Sequence, residues 1–294
     1  MERAEFLTTL VAAALAPAAG APAAGASPLA PLFPSMPSAP FPHASRSTGH
    51  VYQKVLYSAA AHYSDSTVGI FKPPGYVDRD TVDYIVHFHG WNNNVRHVFE
   101  RYNLAAQVTG SNVNAILVVP QGPLDAPDSG DGKLELDPGG FARLIGDVTQ
   151  YLNAQGLIQT RTLGNIVLSA HSGGYGGLGG VLTRGGLNDH ISDVLLFDAA
   201  YGYFDSIAGW AKSSAQNHLL SIFTGDTSTG NAALMGMVQA PLPNLYVRLA
   251  ASMTLAQLQM RAPTFVLTDV AHDELLQKQN WYQLFLQTTA LKAR

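Results

Sequence analysis

Apolar residues recur in two rhythms along this chain, and the two rhythms predict strands that alternate with helices. Residues 82–89 (VDYIVHFH) are rich in β-branched and aromatic side chains and read as a strand. Residues 115–120 (AILVVP) form a continuous apolar run, the pattern of a strand covered on both faces. Residues 51–58 and 67–71 read as opening strands, followed by the Pro73-Pro74-Gly75 turn, and further strands are predicted at 165–170, 194–197, 219–224 and 263–268. Between them, Val95, Val98, Phe99, Tyr102 and Ala105 share one side of a helix over 95–108. Asp137-Pro138 places a cap residue and a first-turn proline at the start of another helix, which runs to about Asn153 and stops at Gly156. A glycine-rich helix opens at Gly173, and an amphipathic one closes the chain over 274–291. This order predicts an α/β fold: a mostly parallel central sheet of about eight strands with helices on both faces. In such sheets the chemistry lies beyond the carboxyl ends of the strands, so the polar residues there are the ones to weigh.

The pattern breaks down at the N-terminus. Residues 6–19 are a short apolar run after a polar start, and A-x-A-like stretches follow. This reads as a secretory signal peptide over 1–26, too short and too alanine-rich for a membrane span. The segment MERAEFLTTL also resembles bacterial twin-arginine export signals, with Ala4 where the second arginine would stand. Eight of the chain's 17 prolines fall between Pro17 and Pro42. Proline fixes φ and removes a donor, so residues 27–49 are expected to be a disordered tether and residues 50–294 the folded domain.

Composition narrows the class. Of 294 residues, 47% are hydrophobic and only 13% charged, so the chain can bury a large core. Lys and Arg number 17 against 21 Asp and Glu, without a basic block, which argues against nucleic acid as partner. Cysteine is absent, which removes disulfides, a thiol nucleophile and thiolate metal sites together.

The most informative residue is Ser172. The run Ser169-Ala170-His171-Ser172-Gly173-Gly174 follows an apolar strand and opens a helix. A serine thrust out on such a turn needs small residues two before and two after it, and Ala170 and Gly174 supply them. The next amide, Gly173 N–H, lies at a helix start, where it can donate to an oxyanion. Upstream, His87-Phe88-His89-Gly90-Trp91 ends another strand, and a turn at His89-Gly90 offers the Trp91 amide as a second donor.

With His89-Gly90 upstream and His171-Ser172 downstream, the sequence resembles the α/β-hydrolase superfamily over roughly residues 50–294. Val119-Pro120-Gln121-Gly122 is similar to the end of the fourth strand in secreted esterases of that group. The resemblance implies a chain order of serine, acid, histidine. His272 is the only histidine after His218 and lies just past the last strand, so it is the expected base. Asp226, in Ile222-Phe223-Thr224-Gly225-Asp226, stands where most of the superfamily carries the acid, and Asp198, in Leu196-Phe197-Asp198, stands where a minority do. Asp226 is preferred and Asp198 is the alternative.

Other features carry less. Six of the eight residues over 173–180 are glycine, at about 1 kcal/mol each relative to alanine in a helix, which points to close packing with Tyr175 projecting near the site. His89, Tyr175 and Tyr201 are candidate substrate contacts, and Trp91, Tyr203 and Trp210 candidate walls of an acyl or aromatic pocket. The loop with Asp125, Asp128, Asp131 and Glu135 lacks the ligand spacing of a calcium loop and reads as a solvated acidic segment. The expectation is an exported serine hydrolase that cleaves small or polymeric carboxylic esters, with no cofactor, no metal and no membrane span in the mature chain. Alternatives are an amidase or peptidase on the same triad, a zinc hydrolase using His87 and His89, and a catalytically dead binding domain.

Overall fold

The computed structural model describes residues 30–130, 132–239, 246–249, 255–259 and 262–294. In chain order it contains β1 (His50–Tyr52), β2 (Val55–Tyr57), α1 (Ala59–His62), β3 (Val68–Phe71), β4 (Val82–Phe88), α2 (Val95–Arg101) and α3 (Leu104–Ser111). There follow β5 (Ile116–Pro120), α4 (Lys133–Leu136), α5 (Gly140–Ala154), β6 (Leu163–His171), α6 (Tyr175–Arg184), β7 (Ile191–Phe197) and α7 (Phe204–Ser213). The chain ends with β8 (His218–Phe223), α8 (Ser228–Gln239), β9 (Tyr246–Leu249), α9 (Leu255–Leu258), β10 (Thr264–Leu267) and α10 (Trp281–Leu286).

Eight strands form one sheet in the order β3-β5-β4-β6-β7-β8-β10-β9. Among the described residues the β3–β5 pair of this sheet is antiparallel and its other ladders run parallel. The predicted α/β class and strand number therefore hold, with β9 as an edge strand that the sequence pattern did not indicate. The segment read as one opening strand over 51–58 is instead a separate hairpin of β1 and β2, reversed at Gln53 and Lys54 with φ of 46° and 68°. The helix read over 95–108 is two, broken where Asn103 adopts the left-handed conformation that asparagine tolerates better than most residues.

The twofold alternation of the strands divides the core. Tyr84, Val86 and Phe88 of β4 join one cluster with Phe141, Leu144 and Val148 of α5 and with Leu178 of α6. Ile85, Val167 and Leu195 point to the opposite face, against Val98, Leu104, Val108, Trp281 and Phe285. Both faces are dry, which is why β5 reads as an unbroken apolar run.

Residues 1–26, expected as a signal peptide, lie outside the described residues, as do 27–29. Residues 30–49, expected as a free tether, are bound to the domain. Leu32 exchanges two main-chain hydrogen bonds of 2.8 Å with Ile70, and Met36 N–H donates to Ser66. The carbonyls of Pro34 and Pro40 accept from Val68 and Lys133, while Met36, Ala39 and Phe41 are buried. Proline lacks only the donor; its carbonyl still accepts, and the apolar residues between the prolines cover the open edge of β3.

Parallel strands bring their carboxyl ends to one rim of the sheet. His89 to Trp91 follow β4, Gln121 and Gly122 follow β5, Ser172 follows β6, Asp198 follows β7, Thr224 to Thr227 follow β8, and His272 lies five residues past β10.

Candidate active site

Ser172 is the first residue beyond β6 and has φ of +54°, the left-handed region, which a side-chain-bearing residue enters only when its surroundings hold it there. A single 3₁₀ turn, Ser172–Gly174, leads into α6, so the serine sits at the positive end of a ten-residue helix. Two glycines allow this. A Cβ on Gly174 would lie 2.2 Å from the Phe88 carbonyl oxygen, and one on Gly90 would lie 2.8 Å from the Ser172 Cβ. The turn after β4 is thereby pressed against the serine.

His272 and Asp198 are joined: Nδ1 of the imidazole donates to Oδ2 of the carboxylate over 2.6 Å. Asp198 is fully buried and has φ of +48°. Its carboxylate also accepts from Thr224 N–H at 2.9 Å, from Thr224 Oγ1 at 2.6 Å and from Thr227 Oγ1. Burial pushes this carboxyl up, but the bonds donated by His272, Thr224 and Thr227 outweigh burial and bring it down to about 2. The bond to Asp198 in turn raises His272 above the ordinary histidine value, against the opposing effect of its partial burial.

Asp226, preferred in the sequence reading, is not the residue that meets His272. Its side chain is exposed, and its N–H donates to Thr224 Oγ1 at 3.2 Å. The two threonines that hold Asp198 were missed; the Ile222-Phe223-Thr224-Gly225-Asp226 stretch drew attention to its acid and hid its hydroxyl.

His89 is also placed differently from its reading as a substrate contact. It is buried, with Nδ1 2.9 Å from the Gly90 carbonyl and Nε2 3.0 Å from the Gly122 N–H and 3.1 Å from Gln121 Nε2. The carbonyl accepts, so the proton is on Nδ1, and Nε2 receives both amides. Burial keeps this ring below the ordinary histidine value. The Gly90 carbonyl and the Trp91 N–H belong to one planar trans peptide, so holding the carbonyl also fixes the direction of the N–H.

The Trp91 indole is exposed and lies over Gly173, its Nε1 donating to Ser129 Oγ at 2.7 Å and its ring meeting Tyr52 edge-on at 5.3 Å. Tyr175 contacts Tyr201 and Tyr203 at ring separations of 5.8 and 6.4 Å, and both of those tyrosines are exposed. Burial together with the charges of Asp198 and Asp226 pushes Tyr201 up to about 12. Trp210 is buried in the core and donates to the Ile191 carbonyl, so it walls no pocket.

His87 bonds Ser169 and His89 bonds the turn residues, so the two rings serve separate networks. Among the described residues no group of three or more His, Asp or Glu could hold a metal ion. Asp128 is committed to Arg46 at 2.8 and 3.2 Å and to the Tyr63 hydroxyl, and Asp131 lies outside the described residues. A groove of about 1020 Å³ runs along α5 past Ser38, Arg143 and Arg161 and shares no lining residue with the Ser172 site.

The arrangement and the sheet define the α/β-hydrolase fold. Similar solved structures include a serine-to-alanine mutant of the feruloyl esterase module from Clostridium thermocellum complexed with sinapinate. It has 12% identity, a TM-score of 0.52, and coverage of 76% of this chain and 82% of that one. A fluorophosphonate-binding serine hydrolase of Staphylococcus aureus matches at 10% identity and a TM-score of 0.46, covering 87% and 97%. No family model and no curated relative matches the sequence.

Proposed function

We propose that the protein is a serine hydrolase that cleaves carboxylic esters, with Ser172 as nucleophile, His272 as base and Asp198 as the acid that orients it. The observation that carries this reading is the 2.6 Å bond from His272 to a buried, fully hydrogen-bonded Asp198, at the same rim of the sheet as a serine held at positive φ on a strand-to-helix turn. Ser172 Oγ attacks the acyl carbon and passes its proton to His272 Nε2; the Gly173 and Trp91 amides receive the oxyanion. Collapse breaks the acyl–oxygen bond, and the imidazolium returns the proton to the leaving alcohol. Water then repeats the sequence on the acyl-enzyme and releases the acid. The exposed Trp91 ring over Gly173 and the contacting rings of Tyr175 and Tyr201 suit a flat acyl or alcohol group. Export is part of the proposal and rests on residues 1–26; the mature N-terminus of the secreted chain tests it.

The experiment is active-site labelling with a fluorophosphonate, followed by turnover of p-nitrophenyl esters of graded length. A covalent adduct mapped to Ser172 is expected, and Ser172→Ala and His272→Ala should each remove nearly all turnover. Labelling elsewhere, or full turnover in either variant, overturns the reading.

A further inference from the structure

His171 precedes the nucleophile and takes no part in the reaction above, yet it is buried against the base. Its Nε2 lies 3.0 Å from the main-chain carbonyl of His272. A carbonyl only accepts, so the His171 proton is on Nε2 and its Nδ1 offers a lone pair. The two imidazoles face each other, tilted by 34° with centroids 4.8 Å apart, and Tyr102 braces His171 edge-on at 5.6 Å.

That lone pair has no partner among the described residues, although a buried polar atom ordinarily has one. A second buried histidine also has a ring nitrogen without a partner among the described residues. His87 stands opposite Ser169 in the ladder between β4 and β6. Residues two apart on a strand share a face, so His87, Ser169 and His171 all point to the same side of the sheet. His87 Nδ1 is 2.9 Å from Ser169 Oγ, Ser169 Oγ is 3.1 Å from the Tyr282 hydroxyl, and His87 Nε2 is buried without a partner.

The geometry points to His171 as a positioning residue for His272. A relay from Tyr282 through Ser169, His87 and one buried water holds it in the tautomer that donates to the His272 carbonyl. The inference rests on the reading of Ser172 and His272 as nucleophile and base. In this relay the Tyr282 hydroxyl donates to Ser169, the Ser169 hydroxyl to His87 Nδ1, His87 Nε2–H to the water, the water to His171 Nδ1, and His171 Nε2–H to the His272 carbonyl. The terminal carbonyl fixes the His171 tautomer, and a buried polar atom left without a protein partner is of the kind that a structural water satisfies. Burial, reinforced by the neighbouring histidine, brings His171 down to about 4 and holds His87 well below its ordinary value. Both rings are therefore neutral when His272 becomes an imidazolium. The bond to the carbonyl fixes the main chain of the base, and the bond to Asp198 fixes its ring.

The test compares His171→Gln, whose amide nitrogen reaches the place of Nε2 and can donate to the same carbonyl, with His171→Phe, which fills the space and donates nothing. With p-nitrophenyl acetate, His171→Phe is expected to lose about 10- to 100-fold in kcat with KM within about twofold, and His171→Gln to recover most of that loss. In ¹⁵N-histidine-labelled wild-type protein, His171 is expected to be neutral and protonated on Nε2 from about pH 5 to about pH 8. In His87→Phe the His171 Nδ1 resonance should move. Full kcat in His171→Phe, or a proton on His171 Nδ1, overturns the inference even if the variants fold poorly, since the tautomer is read in the wild-type chain. If wild-type protein fails to label at Ser172, the serine reading falls and takes this one with it; if it labels normally while His171→Phe keeps full kcat, only this one falls.

Discussion

Asp198 and His272 meet at 2.6 Å across 74 residues of chain, and Thr224, at the end of the strand between theirs, holds the carboxylate from below. β8 lies between β7 and β10 in the sheet, so the residue after β8 is central to the pair. Two residues further on, Asp226 turns outward while its N–H caps the Thr224 hydroxyl. The carboxylate that meets His272 thus comes from the end of β7, and the β8 end supplies its support.

Amidating the two acids should separate them. Asp198→Asn keeps the shape but no longer favours the imidazole with its proton on Nδ1, and kcat on a p-nitrophenyl ester is expected to fall by about 10⁴-fold. Asp226→Asn should stay within about twofold, since exposed charges couple weakly. Equal losses, or a larger loss in Asp226→Asn, would sink the assignment of Asp198.

The fold was legible because hydrophobic periodicity reports burial directly: the continuous run of β5 and the alternation in β4 fix strands, and Ser172 stands out because small residues flank it at the end of an apolar strand. The acid was not legible. Asp198 and Asp226 both follow strands, and only the lateral order of β7, β8 and β10 decides which one reaches His272. His89 was misassigned for a related reason. A sequence shows a histidine at a strand end, but not that Gly90, Gly122 and Gln121 already engage both of its nitrogens. The segment over 30–49 was misjudged because proline count reports missing donors and says nothing of carbonyls that can accept from an adjacent sheet edge.

The pair also sets two pH responses. As the proposed base, His272 must be neutral to accept the serine proton, and Asp198 raises its value, so the acid limb of kcat/KM should lie above the ordinary 6.5 and move down in Asp198→Asn. For stability, Asp198 is depressed from 3.8 to about 2, so its contribution of about 2 kcal/mol is present above pH 4 and lost as pH falls through 2. His272, being raised, contributes in the opposite sense: fully below 6.5, and lost as pH rises through its folded value. Urea midpoints measured from neutral pH to pH 2 should fall less steeply in Asp198→Asn than in wild type; identical acid limbs would refute the role given to the carboxylate.

Gly90 should tolerate no side chain without cost to the chemistry. A methyl there would lie 2.8 Å from the Ser172 Cβ and 3.2 Å from the His171 carbonyl oxygen, closer than such atoms pack. Gly90→Ala is expected to displace the Trp91 amide or the serine and to lower both kcat and the rate of fluorophosphonate labelling by at least about tenfold. The destabilisation should be about 1–3 kcal/mol, as for other overpacked sites. Unchanged labelling would show that the turn after β4 does not press on the nucleophile.

Glycine elsewhere should behave in the opposite way. Gly146 in α5 and Gly209 in α7 are exposed, and a Cβ at either would meet nothing within 4 Å. Neither position carries the positive φ that marks the glycines at turns, so alanine enters without strain. Alanine there narrows the unfolded ensemble and favours the helix, and each substitution should stabilise by about 0.5–1 kcal/mol. The two sites lie on different helices without shared partners, so the double variant should approach the sum. The glycines of α6 differ in kind: a Cβ on Gly176 would lie 2.0 Å from the Ser129 carbonyl oxygen and one on Gly180 2.6 Å from the Glu135 Cα, so alanine at either should destabilise despite the same gain in helix propensity. Denaturant midpoints of the four single variants decide the matter. If Gly176→Ala and Gly180→Ala prove as stabilising as Gly146→Ala and Gly209→Ala, then α6 is not held close to Ser129 and Glu135, and the packing behind the turn at Ser172 is looser than drawn.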